Sequence, residues 1–295
     1  MPNSGATSGA VLDHMAHAVP RWQDVWGRYA VDFGAQWSSG GLSSGFAPGQ
    51  LRFANGARLE MLMPHDTGSN DFLERFLAAL GPGPHHLTFK VPSLTDTLDR
   101  VRAHGLEPIG IDLGDPEWME AFLHPKIATG VVVQLAEAPV PWSSPPPPDF
   151  PTGHRLLDDA SGPVPPARLL RVCHVVAELA PARALFGDLL GGEVVTERRG
   201  GATTSVDLRW DGPLGLRLVG PSDPGRPGPL TGWLAGRPGR LHHIELEVEE
   251  PWGVPGAVPA ASAVVVADHP EHGGLWEIDP VDNLGLGIVL TPPDR

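Results

Sequence analysis

The sequence predicts an α+β protein of two domains, each built from a pair of βαβββ modules whose mixed or antiparallel sheet curls around a cleft. Similar strand-like runs recur along the chain, and histidine occurs in LDHMAHAV, HHLTFKV, LRVCHVV and HHIELEV. Each run opens a stretch of about fifty residues that closes on another strand-like run, which predicts four repeated modules. The proline-rich segment 139–167 separates two pairs, so we expect domains at 11–138 and 168–292.

Each of the first three modules contains a candidate helix after its first strand. The runs are WQDVWGRYAVDFG, SLTDTLDRVRAHGLEP and APARALFGDLLGGE. In the second run Leu94, Leu98 and Val101 have helical spacing, and Gly105 is a typical stop. The fourth run, PWGVPGAVPAASA, is too rich in proline for a helix to be expected. A strand, a helix and three further strands is the simplest unit that fits.

The closing strands set the alignment of the repeat. ARLEMLMP and LGLRLVGP align on their final prolines, and FLHPKIATGVVVQLAE aligns with EIDPVDNLGLGIVLTP without a gap. With one histidine taken from each opening strand, we pair His14 with His174, Glu60 with Arg217, His86 with His243, and Gln134 with Val289.

Composition limits the classes of partner. Lys and Arg total 21 against 35 Asp and Glu, a net charge of −14, which opposes general nucleic-acid binding and binding to anionic membranes. The only cysteine, Cys173, excludes an intrachain disulfide and suits a reducing cytoplasm. We find no secretory signal and no apolar run as long as a membrane span. These features predict a cytoplasmic, monomeric or homodimeric protein that binds a small molecule, and the low lysine content favours a bacterial source.

Four side chains on the predicted strands of the first domain are candidate metal ligands: His14, Glu60, His86 and Gln134. A lone histidine on a strand is usually a packed or solvated residue, so the argument depends on the repeat, which brings the ends of paired modules together. Imidazole, carboxylate and amide donors suit Fe, Mn, Co, Ni or Zn and leave coordination positions for two substrate oxygens. We therefore predict one divalent ion in the first domain.

The runs LDHMAHAV, GPGPHHLTFKV and FLHPKIATGVVVQL resemble methylmalonyl-CoA epimerase, a family of the vicinal oxygen chelate superfamily, which also includes glyoxalase-like, bleomycin-resistance and extradiol dioxygenase proteins. The resemblance covers nearly the whole chain as βαβββ modules and places the family's metal positions at the same four residues. It implies a metal-dependent epimerase, isomerase or lyase that stabilises an enolate of an oxygen-chelating metabolite. Glu60 and Gln134 would then be catalytic residues as well as ligands.

One departure from that family leaves other functions open. Its carboxylate base lies upstream of the Glu60 position, where this chain has SSGGLSSGFAPGQ, without an acid. The base would have to be His17, His124 or a hydroxide on the metal. One alternative is an Fe(II) ring-cleaving or other oxygenase that uses two histidines and Glu60 as a facial triad. Another is a resistance protein that binds a natural product without converting it.

Other residues have expected roles around this site. His124 and Lys126 lie in the turn before the last strand and could contact an anionic group of the substrate, and Trp118 is a candidate wall of the pocket. Strand alternation should turn His17 away from His14, and His85 away from His86.

The second domain has lost both oxygen ligands. Arg217 and Val289 stand in their places, and a guanidinium has no lone pair for a cation. We expect no metal there and a structural or substrate-covering role. The alternative is that Arg217 and His243 bind a carboxylate or phosphate.

Overall fold

The computed structural model describes residues 9–138, 144–146, 165–262, 264–265 and 275–293. They form two eight-stranded mixed sheets, with strand orders β2-β3-β4-β1-β5-β8-β7-β6 and β10-β11-β12-β9-β13-β16-β15-β14. The predicted α+β class and the two domains are confirmed. Most of the predicted linker 139–167 lies outside the described residues, so the exact domain bounds stay a prediction.

The first sheet contains both modules of the first half. Its strands are β1 Val11–Ala18, β2 Gln36–Gly40, β3 Gly45–Arg52, β4 Arg58–His65, β5 Gly83–Lys90, β6 Ile109–Asp112, β7 Met119–Leu123 and β8 Val132–Glu137. Its helices are α1 Gln23–Trp26, which continues as the π-helical turn Gly27–Asp32, α2 Phe72–Leu80 and α3 Leu94–Ala103.

The second sheet repeats this order. Its strands are β9 Arg168–Val176, β10 Glu193–Gly200, β11 Thr203–Arg209, β12 Gly215–Pro221, β13 Gly239–Glu247, β14 Val258–Pro259, β15 Trp276–Ile278 and β16 Gly287–Thr291. Its helices are α4 Leu179–Arg183, which continues as the π-helical turn Ala184–Leu189, and α5 Pro229–Leu234. Between β13 and β14 only the 3₁₀ turn Pro251–Gly253 forms, as the prolines predict.

Local sequence accounts for the best-defined helix. Ser93 caps α3, because its hydroxyl accepts a hydrogen bond from the backbone N–H of Asp96. Leu94, Leu98 and Val101 are buried on one face of α3, as their spacing predicts. After α3, Gly105 has a φ of +75°, a conformation that favours glycine.

The pairing register corrects one part of the repeat alignment. In the first sheet Ala16 of β1 is the partner of both Glu60 and His86, and in the second Cys173 of β9 is the partner of both Arg217 and His243. Ala16 therefore corresponds to Cys173. It follows that the equivalent of His14 is Arg171 and the equivalent of His174 is His17. The pairing of His14 with His174 was wrong by three residues, because LDHMAHAV offers two histidines and only the register tells which one matches.

The two sheets share one hydrophobic core. A single cluster of buried apolar side chains includes residues of both halves of the chain. Within this cluster the ring of Phe89 lies 6.0 Å from that of Phe186 and 5.1 Å from that of Trp210. Burial of these apolar side chains stabilises the contact between the domains as well as each domain. Among the described helices, none is long and apolar enough to cross a membrane.

Candidate metal centre

Three of the four predicted ligands meet in the first sheet. His14, Glu60 and His86 come from the neighbouring strands β1, β4 and β5, and their donor atoms all lie within 4.8 Å of one another. The Nε2 atom of His14 is 3.5 Å from Oε2 of Glu60, and Nε2 of His86 is 3.9 Å from Oε1. All three side chains are buried. An ion between them would have two imidazoles and one carboxylate as ligands.

Both imidazoles are oriented by a hydrogen bond at Nδ1, the nitrogen that does not face Glu60. Nδ1 of His14 is 2.8 Å from Oδ2 of Asp13, a carboxylate that can only accept, so Nδ1 carries the proton. Burial opposes ionisation of Asp13, but its hydrogen bond with His14 and the charges of Lys90 and Arg58 hold the pKa of Asp13 at about 2. Nδ1 of His86 is 2.8 Å from Nδ1 of His85. With His86 as donor there, both Nε2 atoms keep a lone pair, the arrangement that metal-ligating histidines use.

The two Nε2 atoms are the strongest local indication of a ligand. Both are buried and have no hydrogen-bond partner within the described part of the chain. A buried polar atom left without a partner costs roughly 1–3 kcal/mol, so native proteins rarely keep one without a reason. A divalent cation beside Glu60 would satisfy both atoms at once.

Burial also sets the protonation states around the group. It lowers the pKa of His86 well below its usual range and that of His85 to about 4, so both rings are neutral at pH 7. Burial raises the pKa of Glu60, whereas the neighbouring His14 lowers it. A bound cation would favour the carboxylate form of Glu60 and supply the charge that this site lacks.

Gln134 lies beside this group, although its amide already has partners. Its Oε1 accepts a hydrogen bond of 2.5 Å from Thr88, and its Nε2 donates to Oε2 of Glu120 at 2.7 Å. The same Glu120 oxygen accepts from the indole of Trp118 at 2.8 Å. An amide oxygen has two lone pairs, so it can accept from Thr88 and still bind a cation. The role of Gln134 as a fourth ligand stays a prediction.

The predicted substrate-binding residues lie close to Gln134 in the chain, in the segments on either side of β7. Half-buried Trp118 connects to Gln134 through Glu120, and its ring lies 5.5 Å from Nζ of Lys90. His124 and Lys126 are exposed in the turn between β7 and β8, where the backbone N–H of Lys126 donates to Nδ1 of His124 at 3.1 Å. Their contacts with a substrate stay predictions.

His17 is not available as a base for this site. Its ring is fully buried, with Nδ1 2.8 Å from the hydroxyl of Tyr29 and Nε2 2.9 Å from the carbonyl oxygen of Leu284 in the second domain. The expectation that it turns away from His14 is confirmed. The alternative that made His17 the base was wrong, because both of its nitrogens are engaged away from the metal group.

Sequence reasoning missed the residues that support the ligands. Gln50 donates to Oε2 of Glu60 at 3.4 Å, and its own Oε1 accepts from Ser39 at 3.2 Å. Asp13, Thr88 and Glu120 were missed as well. Signals were present: Thr88 has the strand parity of His86, and Asp13 is the acid next to His14. Gln50 could be found only from the register that pairs it with Glu60.

In the second domain, guanidinium groups occupy the equivalent place. Arg217 is 2% exposed, and it donates to Asp207 from Nε at 2.6 Å and Nη2 at 3.1 Å, and to Glu245 from Nη1 at 2.7 Å. Arg171, the equivalent of His14, lies 2.6 Å from Glu245 and 2.9 Å from Asp207. The hypothesis that Arg217 and His243 bind a free carboxylate or phosphate was wrong, because the guanidinium of Arg217 is already hydrogen-bonded to the carboxylates of Asp207 and Glu245.

Comparison with known proteins agrees with this architecture. No family model and no curated protein matches the chain. A triple mutant of 4-hydroxymandelate synthase from Streptomyces coelicolor matches over 96% of this chain and 92% of its own, with 15% identity and a TM-score of 0.63. Methylmalonyl-CoA epimerase from Mycobacterium tuberculosis matches over 47% of this chain and 95% of its own, with 26% identity and a TM-score of 0.41. A hypothetical protein from Bacillus halodurans gives 24% identity over 46% of this chain and 99% of its own, with a TM-score of 0.41.

The whole-chain match confirms the fold that the sequence motifs predict. This chain has the fold of the vicinal oxygen chelate superfamily, in a two-domain arrangement. An identity of 15% carries the fold and nothing finer. The chemistry therefore has to be argued from the residues of the metal centre.

Proposed function

We propose that this protein is a metal-dependent enzyme that binds one divalent ion at His14, Glu60 and His86, with Gln134 as a fourth ligand. The observation that carries the proposal is the pair of buried Nε2 atoms that face one carboxylate and have no hydrogen-bond partner among the described residues. This donor set suits Fe, Mn, Co, Ni or Zn. When bound, such an ion supplies a Lewis acid for a small substrate with two adjacent oxygens. The reaction class we favour is proton abstraction beside a carbonyl, as in an epimerase, isomerase or lyase.

The chain's own residues would divide the remaining work. Asp13 and His85 keep the ligand imidazoles in one tautomer and one orientation. Trp118 would form a wall of the substrate pocket, and His124 and Lys126 would contact an anionic part of the substrate at its entrance. Burial of the ligand group excludes bulk water, which strengthens electrostatic interactions with the developing charge.

Glu120 is the base that we propose for the proton transfer. It is the carboxylate bonded to Gln134, it does not belong to the ligand group, and its Oε2 is held by two N–H donors. Such a carboxylate can take a proton from a carbon next to a carbonyl when the two are within hydrogen-bond reach. Glu120→Gln keeps an oxygen for Trp118 but removes the base, so we expect the rate to fall by about 10²–10⁴-fold with metal content unchanged. An unchanged rate would exclude Glu120.

Elemental analysis of protein produced without a histidine tag tests the metal. We expect about one ion per chain, as four ligands in one site imply. The double variant His14→Ala/His86→Ala should lose it. His104→Ala is the matched control, because His104 is exposed at the end of α3 and should leave the metal content unchanged. Metal-free wild type, or a double variant that keeps its ion, would refute the proposal.

Exchange of α-protons in deuterated water tests the reaction class. A panel of acyl thioesters is incubated with the metal-loaded chain and followed by proton NMR. We expect exchange with at least one of them, and the exchange should disappear in the double variant. Failure with every thioester would remove the epimerase reading. Saturable ligand binding that survives chelation would favour a natural-product-binding protein instead.

An Fe(II) oxygenase is the second candidate, and one observation favours it. The group that converges contains two histidines and one carboxylate, the set found in facial triads, while the amide oxygen of Gln134 accepts from Thr88. Loading with Fe(II) under anaerobic conditions, followed by measurement of oxygen uptake with candidate substrates, separates the two. Oxygen uptake coupled to product would establish the oxygenase. Activity with Zn or Co in the absence of oxygen would exclude it.

A further inference from the structure

A buried histidine in each domain contacts the backbone of a turn in the other domain. His174 of β9 has Nε2 3.0 Å from the carbonyl oxygen of Thr129, and His17 of β1 has Nε2 2.9 Å from that of Leu284. His17 and His174 are equivalent in the two sheets. Thr129 and Leu284 are equivalent too, since each lies three residues before the strand residue that pairs with His86 or His243. The same contact is therefore made twice, in opposite directions.

Both turns have a backbone that needs support. Thr129 and Leu284 have φ values of +53° and +46°, a region that non-glycine residues adopt at a cost of about 1–3 kcal/mol. The next residues, Gly130 and Gly285, pack so closely on the other domain that a Cβ on Gly130 would collide with the carbonyl of Gly239. Each turn thus keeps its shape against the opposite domain.

Only one of the two turns leads into the candidate metal centre. The turn 124–130 is closed by hydrogen bonds from Ala128 to His124 and from Gly130 to Pro125, at 3.0 and 2.8 Å. It continues directly into β8, on which Gln134 lies. The position of Thr129 therefore sets where β8 begins.

The chemistry of His174 suits a fixed donor. Burial lowers its pKa to about 4, against hydrogen bonds with the backbone of Arg240 and Thr129, so the ring is neutral at pH 7 and has one N–H. With that hydrogen on Nε2, it donates to the carbonyl oxygen of Thr129, and the hydroxyl of Thr129 lies 3.2 Å from the same nitrogen. In the second domain, the equivalent of Gln134 is Val289, so the mirror contact of His17 serves a turn without oxygen ligands.

We propose that His174, a residue of the second domain, is a positioning residue for the metal centre of the first. By holding Thr129 it fixes the turn 124–130 and the start of β8, and with them Gln134 and the two entrance residues His124 and Lys126. The second domain then acts on the site through its backbone. The metal-binding part of this inference rests on the proposed function.

The test uses the full chain and two measurements. Hydrogen exchange followed by mass spectrometry reports on the turns, and titration with Co²⁺, followed in the visible spectrum, reports on the affinity and geometry of the metal centre. The variants are His174→Leu, which removes the donor, and His174→Gln, whose amide nitrogen lies close to the place of Nε2. His17→Leu is the matched control, because it removes the mirror contact.

We expect faster exchange at 124–131 in His174→Leu, and at 280–286 in His17→Leu. Co²⁺ affinity should fall about 10-fold in His174→Leu, and the visible spectrum of bound Co²⁺ should change. A 10-fold loss is near the low end of what is observed when a metal ligand loses a residue that supports it. His174→Gln should restore most of the affinity, and His17→Leu should bind like wild type. Unchanged exchange at 124–131, unchanged Co²⁺ affinity, or equal loss in His17→Leu would overturn the inference. If wild type binds no Co²⁺, the proposed function fails, and hydrogen exchange alone decides whether His174 holds the turn.

Discussion

Replacement of Arg217 by methionine should destabilise the second domain strongly, although it removes no candidate metal ligand. The side chain is 2% exposed and donates hydrogen bonds of 2.6, 3.1 and 2.7 Å to Asp207 and Glu245. Methionine keeps much of the volume but leaves two largely buried carboxylates with Arg171 as their main remaining counter-charge. Breaking a buried ion pair by removing one partner costs roughly 3–5 kcal/mol.

The free energy of unfolding is measured by urea titration of the full chain and its variants, with thermal melting as a second probe. A loss of this size lowers the melting temperature of a domain by about 10 °C. Arg168→Met is the matched control, since Arg168 forms an ion pair of 2.6 Å with Glu247 but is half exposed. An exposed pair contributes less than about 1 kcal/mol, so the control should change little. If Arg217→Met is as stable as Arg168→Met, the idea that this guanidinium neutralises the second domain's core is wrong.

Three further outcomes are expected. First, His17 and His174 have folded pKa values of about 4 against the ordinary 6.5, so the unfolded chain binds more protons between these pH values. The free energy of unfolding is therefore highest above pH 6.5 and falls by roughly 3 kcal/mol per histidine as the pH drops to 4. Urea titrations at a series of pH values should show a weaker pH dependence in His17→Leu. Second, saturating metal at about 100 times its Kd should stabilise the first domain by about 2.7 kcal/mol over chelated protein in a melting assay, and Glu60→Gln should reduce the difference. Third, isothermal titration should detect a weak second metal site when Arg171→His, Arg217→Glu and Val289→Gln are combined with Asp207→Gln and Glu245→Thr, which introduce the equivalents of Gln50 and Thr88 and remove the two carboxylates that would otherwise lose their counter-charge. A variant that folds but binds no second ion would contradict this prediction.

Much of the fold could be read from the sequence because the repeat supplied independent checks. The strands closing on Pro125 and Pro280 aligned without a gap, and their pairing of Gln134 with Val289 agrees with the register. The opening strands gave no such check. Histidines three residues apart occupy opposite faces of a strand, and a local pattern cannot say which of them matches a single histidine elsewhere. Arg171 was therefore overlooked.

The ligands were easier to predict than the residues that support them. His14, Glu60 and His86 are residue types with a recognisable chemistry, and the repeat predicted that they converge in one sheet. Gln50 and Glu120 are ordinary polar residues whose importance comes only from the strand lying next to theirs. In the second domain Asp207 and Glu245 were not predicted for the same reason, although their carboxylates are the partners of the Arg217 guanidinium. Such partners depend on register, which sequence patterns leave open.

The guanidinium in the second domain also affects how the chain responds to its surroundings. A bound ion can be removed by a chelator or exchanged for a competing metal, whereas Arg217 is part of the covalent chain and stays charged at every physiological pH. The second domain therefore keeps its structure when metal is scarce. Because His174 and the shared core connect it to the first domain, it would support the proposed metal centre whether or not an ion is bound there.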